Sequence, residues 1–497
     1  MSAGLAEGHG TPLVRSNRRK LLTLLTPIAA LLAALFAEPG ALAQPAAGPS
    51  NAKEGPKKEG PKEAKPPPKP PANPRAQTPK PSEPKDYDGR EDPTTAGDVL
   101  IWIPRVVFFP AYVVTEYFIR RPLGAIAVEA ERERWVQGLK DFFTWGPNNN
   151  VGIFPTALID FGFRSSVGAY FFYNDLGTQG NHLHVHAATG GYDWWRLTVA
   201  DKVDLDERSY VKVRAEGWIR PDWAFFGVGP ESLEQNRSRY LTKTFEGGAS
   251  FFGGLDEPSA IDFYASVKHI RFGEDTCCGD PALHERIRQG VFEAPPFFDT
   301  GYTAQRLGMK LALDSRRPRP SAGSGARADL AVEHAFDMED ARSRWIRYGA
   351  TATGFLDITG QNRVLSLSVA ALFADPLGER DVPFTELVSL GGNEGLMRGY
   401  LQDRLLGQSA AVATLEYRYP IWAFFDGSIQ AAVGNVFGEH LAGFDPELLR
   451  MSFTAGIRTV GERDYSLDLL VGSGTETFKQ GAGLHDVRFV FGAARGF

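Results

Sequence analysis

Between residues 383 and 422 the chain reads PFTELVSLGGNEGLMRGYLQDRLLGQSAAVATLEYRYPIW. Arg398 stands in a glycine-rich stretch, after Gly391 and Gly392 and before Gly399 and Tyr400. Glu416 follows in a segment of alternating polarity, sharing a face with Thr414 and Arg418 and opposing Leu415, Tyr417 and Tyr419. A guanidinium meeting a carboxylate in a partly dehydrated space makes charge-assisted hydrogen bonds. Gly399, with no Cβ, lets the neighbouring backbone come close to whatever wall carries the carboxylate. The other candidates for chemistry are weaker. His182, His184 and His186 recur at period two, but same-face residues on a strand lie about 7 Å apart, too far for three imidazoles to meet one ion easily. No metal site is expected there, and no cofactor. Cys277 and Cys278 are adjacent, either reduced or joined as a strained vicinal disulfide. No GxSxG, HExxH, P-loop or dinucleotide fingerprint occurs, so an enzyme is not expected.

The elements that hold these residues follow from periodicity. From Thr156 onward, segments of alternating apolar and polar residues are separated by turn residues. Leu365, Leu367, Val369, Ala371 and Phe373 line one face of such a segment, and Ser366, Ser368 and Ala370 the other. Val211, Val213, Ala215 and Ile219 oppose Lys212, Arg214, Glu216 and Trp218. Several charges on the polar face suit a wet lumen inside a lipid-facing wall better than a soluble sandwich. Strands are expected to begin near Ala157, Gly168, His182, Trp194, Tyr210, Arg239, Ala260, Arg306, Ala326, Trp345, Val364, Ala411, Ser428, Met451, Tyr465 and Asp486. That is an all-β, 16-stranded antiparallel transmembrane β-barrel over residues 151–497. The long connections, such as 272–305 and 374–409, follow odd-numbered strands, as surface loops do in outer-membrane barrels.

Composition agrees. A mean hydropathy of -0.24 excludes several helical spans but not a barrel. The formal charge of -6 gives no basic field for nucleic acid. Two cysteines exclude a disulfide scaffold. Arg15, Arg18, Arg19 and Lys20 precede an apolar run from Leu21 to Ala37 and the small-residue triplet Ala41-Leu42-Ala43, which reads as a signal peptide over residues 1–43. Residues 44–98 hold 14 of the 34 prolines, among Lys, Glu, Ala and Gly, and read as a disordered linker. Residues 99–150 read as a short periplasmic helical segment, interfacial or capping the barrel mouth, with a helix over 127–143.

The loop, the strand that follows it and the strand count together resemble the BamA/TamA-type superfamily of outer-membrane barrels, also called the bacterial surface antigen family. Its signature is a GG…RG(F/Y) surface loop followed by a strand carrying Glu. Gly391, Gly392, Arg398, Gly399, Tyr400 and Glu416 match it. The resemblance implies that this loop folds into the lumen and is clamped there by Arg398 on Glu416. The family usually adds an Asp on the next strand; here QAAVGNVF puts Ala432 in that place, so the clamp is expected to be weaker or differently partnered. Val487, Phe489, Phe491 and Phe497 share a face, and a last strand ending in an aromatic resembles the targeting signal read by the barrel assembly machinery. The expected location is the bacterial outer membrane, and the expected partners are its lipid, that machinery and a periplasmic protein. Family members that insert or secrete proteins carry polypeptide-transport-associated domains before the barrel, and none fits residues 99–150. The reading is therefore a barrel in outer-membrane assembly or transport without its own delivery domains. Gly492 and Gly496 point to a weak seam between first and last strands. The alternatives are a passive pore or structural surface barrel, and a barrel serving an exported protein that docks on the linker.

Overall fold

The computed structural model describes residues 141–492 apart from 256–257, 275–276, 317–322, 423–424 and 460–467, together with parts of 102–140. The proposed signal peptide and linker, and the C-terminal residues Ala493 to Phe497, lie outside the described residues.

Sixteen antiparallel strands close on themselves. In chain order they are β1 (Val151–Asp160), β2 (Ser166–Asn174), β3 (Asn181–Gly191), β4 (Trp194–Asp204), β5 (Ser209–Phe225), β6 (Ser238–Gly254), β7 (Ala260–Glu274) and β8 (Tyr302–Asp314). They continue as β9 (Gly325–Asp337), β10 (Arg344–Asp357), β11 (Val364–Pro376), β12 (Ser409–Trp422), β13 (Phe425–Phe437), β14 (Arg450–Thr459), β15 (Asp468–Thr475) and β16 (Leu484–Gly492). Each strand pairs with its neighbours in sequence, and β16 returns to β1.

Alternation sets the two faces. On β11, Leu367 is 57% exposed on the outside while Ser366 is 6% exposed toward the lumen. On β5, Val213 is exposed and Glu216 buried. That inversion of the soluble-protein rule is what a lipid-facing wall requires. The long connections 226–237, 275–301, 377–408 and 438–449 share one end of the barrel, and the opposite end carries shorter turns.

Closure is brief. Among the described residues β16 meets β1 at three pairs, Val490↔Asp160, Phe491↔Ile159 and Gly492↔Leu158, against fifteen between β5 and β6. Pro155 sits inside β1. A residue without an N–H is tolerated where one side of a strand lacks a full ladder. Before the barrel, Thr144–Trp145 pairs on the outer edge of β1 with Gly152 and Val151. In this region one helix occupies Arg121–Arg132, overlapping the start of the expected 127–143, residues 138 and 141–143 are also helical, and a shorter helix covers Phe109–Val113.

Candidate functional site: the lumen loop and the seam

The connection between β11 and β12 folds into the lumen. Gly391 and Gly392 adopt positive φ of 111° and 81°, and the Gly392 N–H donates to the Tyr400 carbonyl at 3.0 Å, closing the tip of the loop. A Cβ on Gly391 would lie 2.2 Å from the Leu401 carbonyl oxygen, so the turn needs glycine there.

Arg398 is buried, and its Nη2 donates to Glu416 Oε1 at 3.4 Å. The other carboxylate oxygen of Glu416 accepts from Arg418 at 3.0 Å. Arg398 Nη1 is buried and has no hydrogen-bond partner among the described residues. The loop tip is tied mainly through Gly399 and Tyr400. The Gly399 N–H donates to Ser452 Oγ on β14 at 2.8 Å. The Tyr400 hydroxyl accepts from the Thr475 N–H at 2.8 Å and donates to the Thr475 carbonyl at 2.6 Å, at the end of β15. β15 makes the cradle from glycines: a Cβ on Gly472 would lie 3.0 Å from Gly399 Cα, and one on Gly474 would lie 2.1 Å from the Tyr400 ring. Ala432 on β13 is buried and contributes no carboxylate.

A different tie to the loop tip comes from the last strand. Arg488 on β16 is 1% exposed. It donates to the Arg398 carbonyl at 3.1 Å and pairs with Asp160 of β1 at 2.6 Å. One guanidinium therefore joins the loop tip, the last strand and the first strand. Nothing local in the sequence marks Arg488, Asp160, Gly472 or Gly474 for this role; the spacing across 328 residues between Asp160 and Arg488 exists only after closure.

A second anchor, also absent from the sequence reading, sits in the first limb of the loop. Glu386 is 1% exposed and accepts from Lys268 on β7 at 2.6 Å, from Tyr302 on β8 at 2.6 Å and from Arg347 on β10 at 3.3 Å. Burial alone would push its carboxyl up, but the charges of Lys268, Arg306 and Arg347 outweigh it and hold it well below the usual carboxylate range. Beside it, the Phe384 ring packs against Phe225, Tyr240, Phe272 and Phe298, with centroids 5.0 to 6.0 Å apart. Leu283, Met397, Leu405 and Leu406 extend this apolar cluster. Three connections thus fill the long-loop end of the lumen. Above the cluster, Arg404 of the loop donates to Glu234 at 3.1 Å and to Ser232 Oγ at 2.9 Å in the β5–β6 connection.

The remaining sequence candidates are elsewhere. Cys277 and Cys278 are bridged to each other in the β7–β8 connection. His182 shares hydrogen bonds with Asn174 and Asp204, while His186 meets Thr156 at 3.0 Å. Phe491 is exposed on the outer face of β16, and Phe489 is half-buried there, its ring 5.3 Å from Phe161. Phe497 is outside the described residues.

A closed 16-strand wall with an apolar exterior and a charged lumen is that of a bacterial outer-membrane β-barrel. Residues 298–459, which include the lumen loop and Glu416, match the model of the Omp85 superfamily domain. The match agrees with the resemblance of this loop and the Glu416 strand to BamA/TamA-type barrels. Among solved structures, the chain is similar to BamA from Haemophilus ducreyi lacking POTRA domains 1–3, at 13% identity and a TM-score of 0.48, covering 69% of this chain and 70% of that one. It is also similar to CdiB from Escherichia coli, at 12% identity and a TM-score of 0.46, covering 69% of this chain and 62% of that one. CdiB from Acinetobacter baumannii gives 11% identity and a TM-score of 0.42, over 69% of this chain and 59% of that one. The chain thus spans about three fifths of the two CdiB chains. No curated protein matches it.

Proposed function

We propose that this protein acts in outer-membrane assembly or transport through its wall, with loop 377–408 as a lumen clamp and the β1–β16 seam as the working edge. The observation that carries the reading is Arg488, which binds Asp160 across the seam and the Arg398 carbonyl at the loop tip. Loop docking and seam closure then share one side chain, so a change at either reaches the other. Opening or thinning beside the seam would let a neighbouring polypeptide enter the membrane. Substrate delivery falls to a separate periplasmic partner, and residues 1–43 and 44–98 serve as export signal and spacer. The apolar plug around Phe384 speaks against the passive pore.

The test uses the full chain refolded in phospholipid vesicles, with Cys277 and Cys278 replaced by serine. Ile159→Cys with Phe491→Cys places one cysteine on each side of the seam, on directly opposed outward positions. The reduced variant should speed insertion of an unfolded outer-membrane barrel, read by its heat-modifiable migration. Oxidation should abolish the gain and reductant restore it. Equal acceleration by the oxidised and reduced forms would refute the seam as working edge.

A further inference from the structure

On an unaccompanied barrel the outward row of every strand meets lipid. β12 departs from this. Leu415 is 37% exposed, but Tyr417, Tyr419 and Ile421, next in the same outward row toward the short-turn end, are only 4%, 2% and 7% exposed. Leu365, Phe425 and Ile457, from β11, β13 and β14, pack against this group. The outer wall here is covered by protein.

The cover is the segment before the barrel. The Arg121–Arg132 helix lies against β12. Arg363, in the turn that leads into β11, is 4% exposed. Its Nη2 donates to Glu116 at 2.5 Å, its Nη1 to the Tyr417 hydroxyl at 3.4 Å, and its guanidinium stacks 4.7 Å from the Tyr112 ring. An arginine on the outer wall is costly at the membrane midplane and tolerated near the interface. Paired and at the turn end, Arg363 fits the second depth.

The cover is itself apolar on its free side. Val106, Phe109 and Val128 are 64%, 60% and 58% exposed, and Trp102 and Tyr117 are exposed beside them. Arg121, Glu129 and Arg132 are also exposed, giving the mixed surface of a helix that lies in an interface. Trp and Tyr favour that depth. This apolar surface continues the lipid-facing band of Leu367, Val369, Leu415 and Ile429. A cover facing only water would expose polar side chains instead.

We propose that Phe109–Val113, Glu116, Tyr117 and Arg121–Arg132 form an interfacial collar on the outside of the barrel, docked on the periplasmic ends of β11–β13 through Arg363–Glu116 and set into the phospholipid leaflet beside them. The collar does not cap the lumen, and its occupant is lipid rather than a protein partner. It stands independently of the seam reading, since β12 lies four strands from β16.

The test places an environment-sensitive fluorophore on single cysteines at Phe109→Cys, Val128→Cys and Glu129→Cys, in the full chain with its Cys277–Cys278 bridge left oxidised. The protein is refolded in phosphatidylethanolamine–phosphatidylglycerol vesicles, and emission is read from the heat-modifiable, folded barrel. Labels at 109 and 128 should be quenched at least twofold by a shallow spin-labelled lipid and less by a deep one. The label at 129 should be quenched mainly by aqueous iodide. Iodide quenching of all three, with none from the lipid, would overturn the proposal and favour a protein-docking face. Glu116→Gln checks the docking contact separately. It should speed trypsin cleavage after Arg132 while the barrel stays folded, and an unchanged cleavage rate there would refute docking through Arg363.

Discussion

Gly399→Ala should release the loop tip more than Arg398→Ala does, although Arg398 is the charged member of the motif. The Arg398–Glu416 contact is long at 3.4 Å, and Glu416 keeps Arg418 at 3.0 Å when Arg398 is removed. No carboxylate is left unpaired, and the buried Nη1 that lacks a partner is removed with the side chain. The loss is that of one charge-assisted hydrogen bond in a partly hydrated space, about 1 to 1.5 kcal/mol. That is roughly a tenfold rise in the undocked population. A Cβ at Gly399 would lie 2.3 Å from the Ser473 carbonyl oxygen and 2.7 Å from Ser452 Oγ. The first neighbour is backbone in a ladder and cannot swing aside, so the tip must lift, losing the Gly399–Ser452 and Tyr400–Thr475 hydrogen bonds together. At about 1 kcal/mol for each of three bonds, the cost is near 3 kcal/mol, or about a hundredfold. The assay is limited proteolysis between Gly391 and Gln408 on the refolded, heat-modifiable barrel. The expected order of cleavage rates is Gly399→Ala, then Arg398→Ala, then the native chain. Arg398→Ala cleaved as fast as Gly399→Ala would refute the reasoning that backbone seating outweighs the ion pair.

Glu386→Gln should loosen the first limb of the loop by about 2 to 3 kcal/mol, since Lys268 and Arg347 lose a buried counter-charge; faster proteolysis near Glu386 is the readout. Because the folded carboxyl titrates below its usual range, its contribution is complete above the unfolded value of about 4.3 and fades as pH falls through the depressed one. Pepsin protection of the loop should therefore hold at pH 4 and fail only in stronger acid; loss of protection between pH 6 and 5 would contradict the pairing. Deleting Phe497 should reduce the amount of folded barrel in the outer membrane, and unchanged levels would count against a C-terminal targeting signal. A tag near Gly279 should label on intact cells and one near Glu91 should not; the reverse would invert the topology.

Much of the barrel was readable from alternation alone, because lipid outside and water inside impose opposite demands on successive residues. All but one of the expected starting residues lie within six residues of the strand starts described. Tyr465 falls among 460–467, outside the described residues, and its strand is described from Asp468. The largest offset is instructive. β1 starts at Val151 rather than Ala157, since Pro155 looks like a strand breaker but stands at the seam. The loop motif was legible because glycine, arginine and glutamate sit close together in sequence. Its real fastening was not. Glu386 is one glutamate in a long loop, and its partners Lys268, Tyr302 and Arg347 belong to three strands. Arg488 looks like an ordinary lumen charge until β16 meets β1. The outward tyrosines of β12 read as lipid-facing, and their covering by an upstream segment has no periodic signature.

The most direct test of the account is single-channel conductance of the full chain in planar phospholipid bilayers, compared with a variant in which residues 384–404 are replaced by a short Gly-Ser linker. If the loop and its aromatic cluster close the lumen, the native chain should show little or no steady conductance, and the loop variant should show a stable open level. A large, steady conductance from the native chain, unchanged by removing the loop, would contradict the account and return the protein to a passive pore.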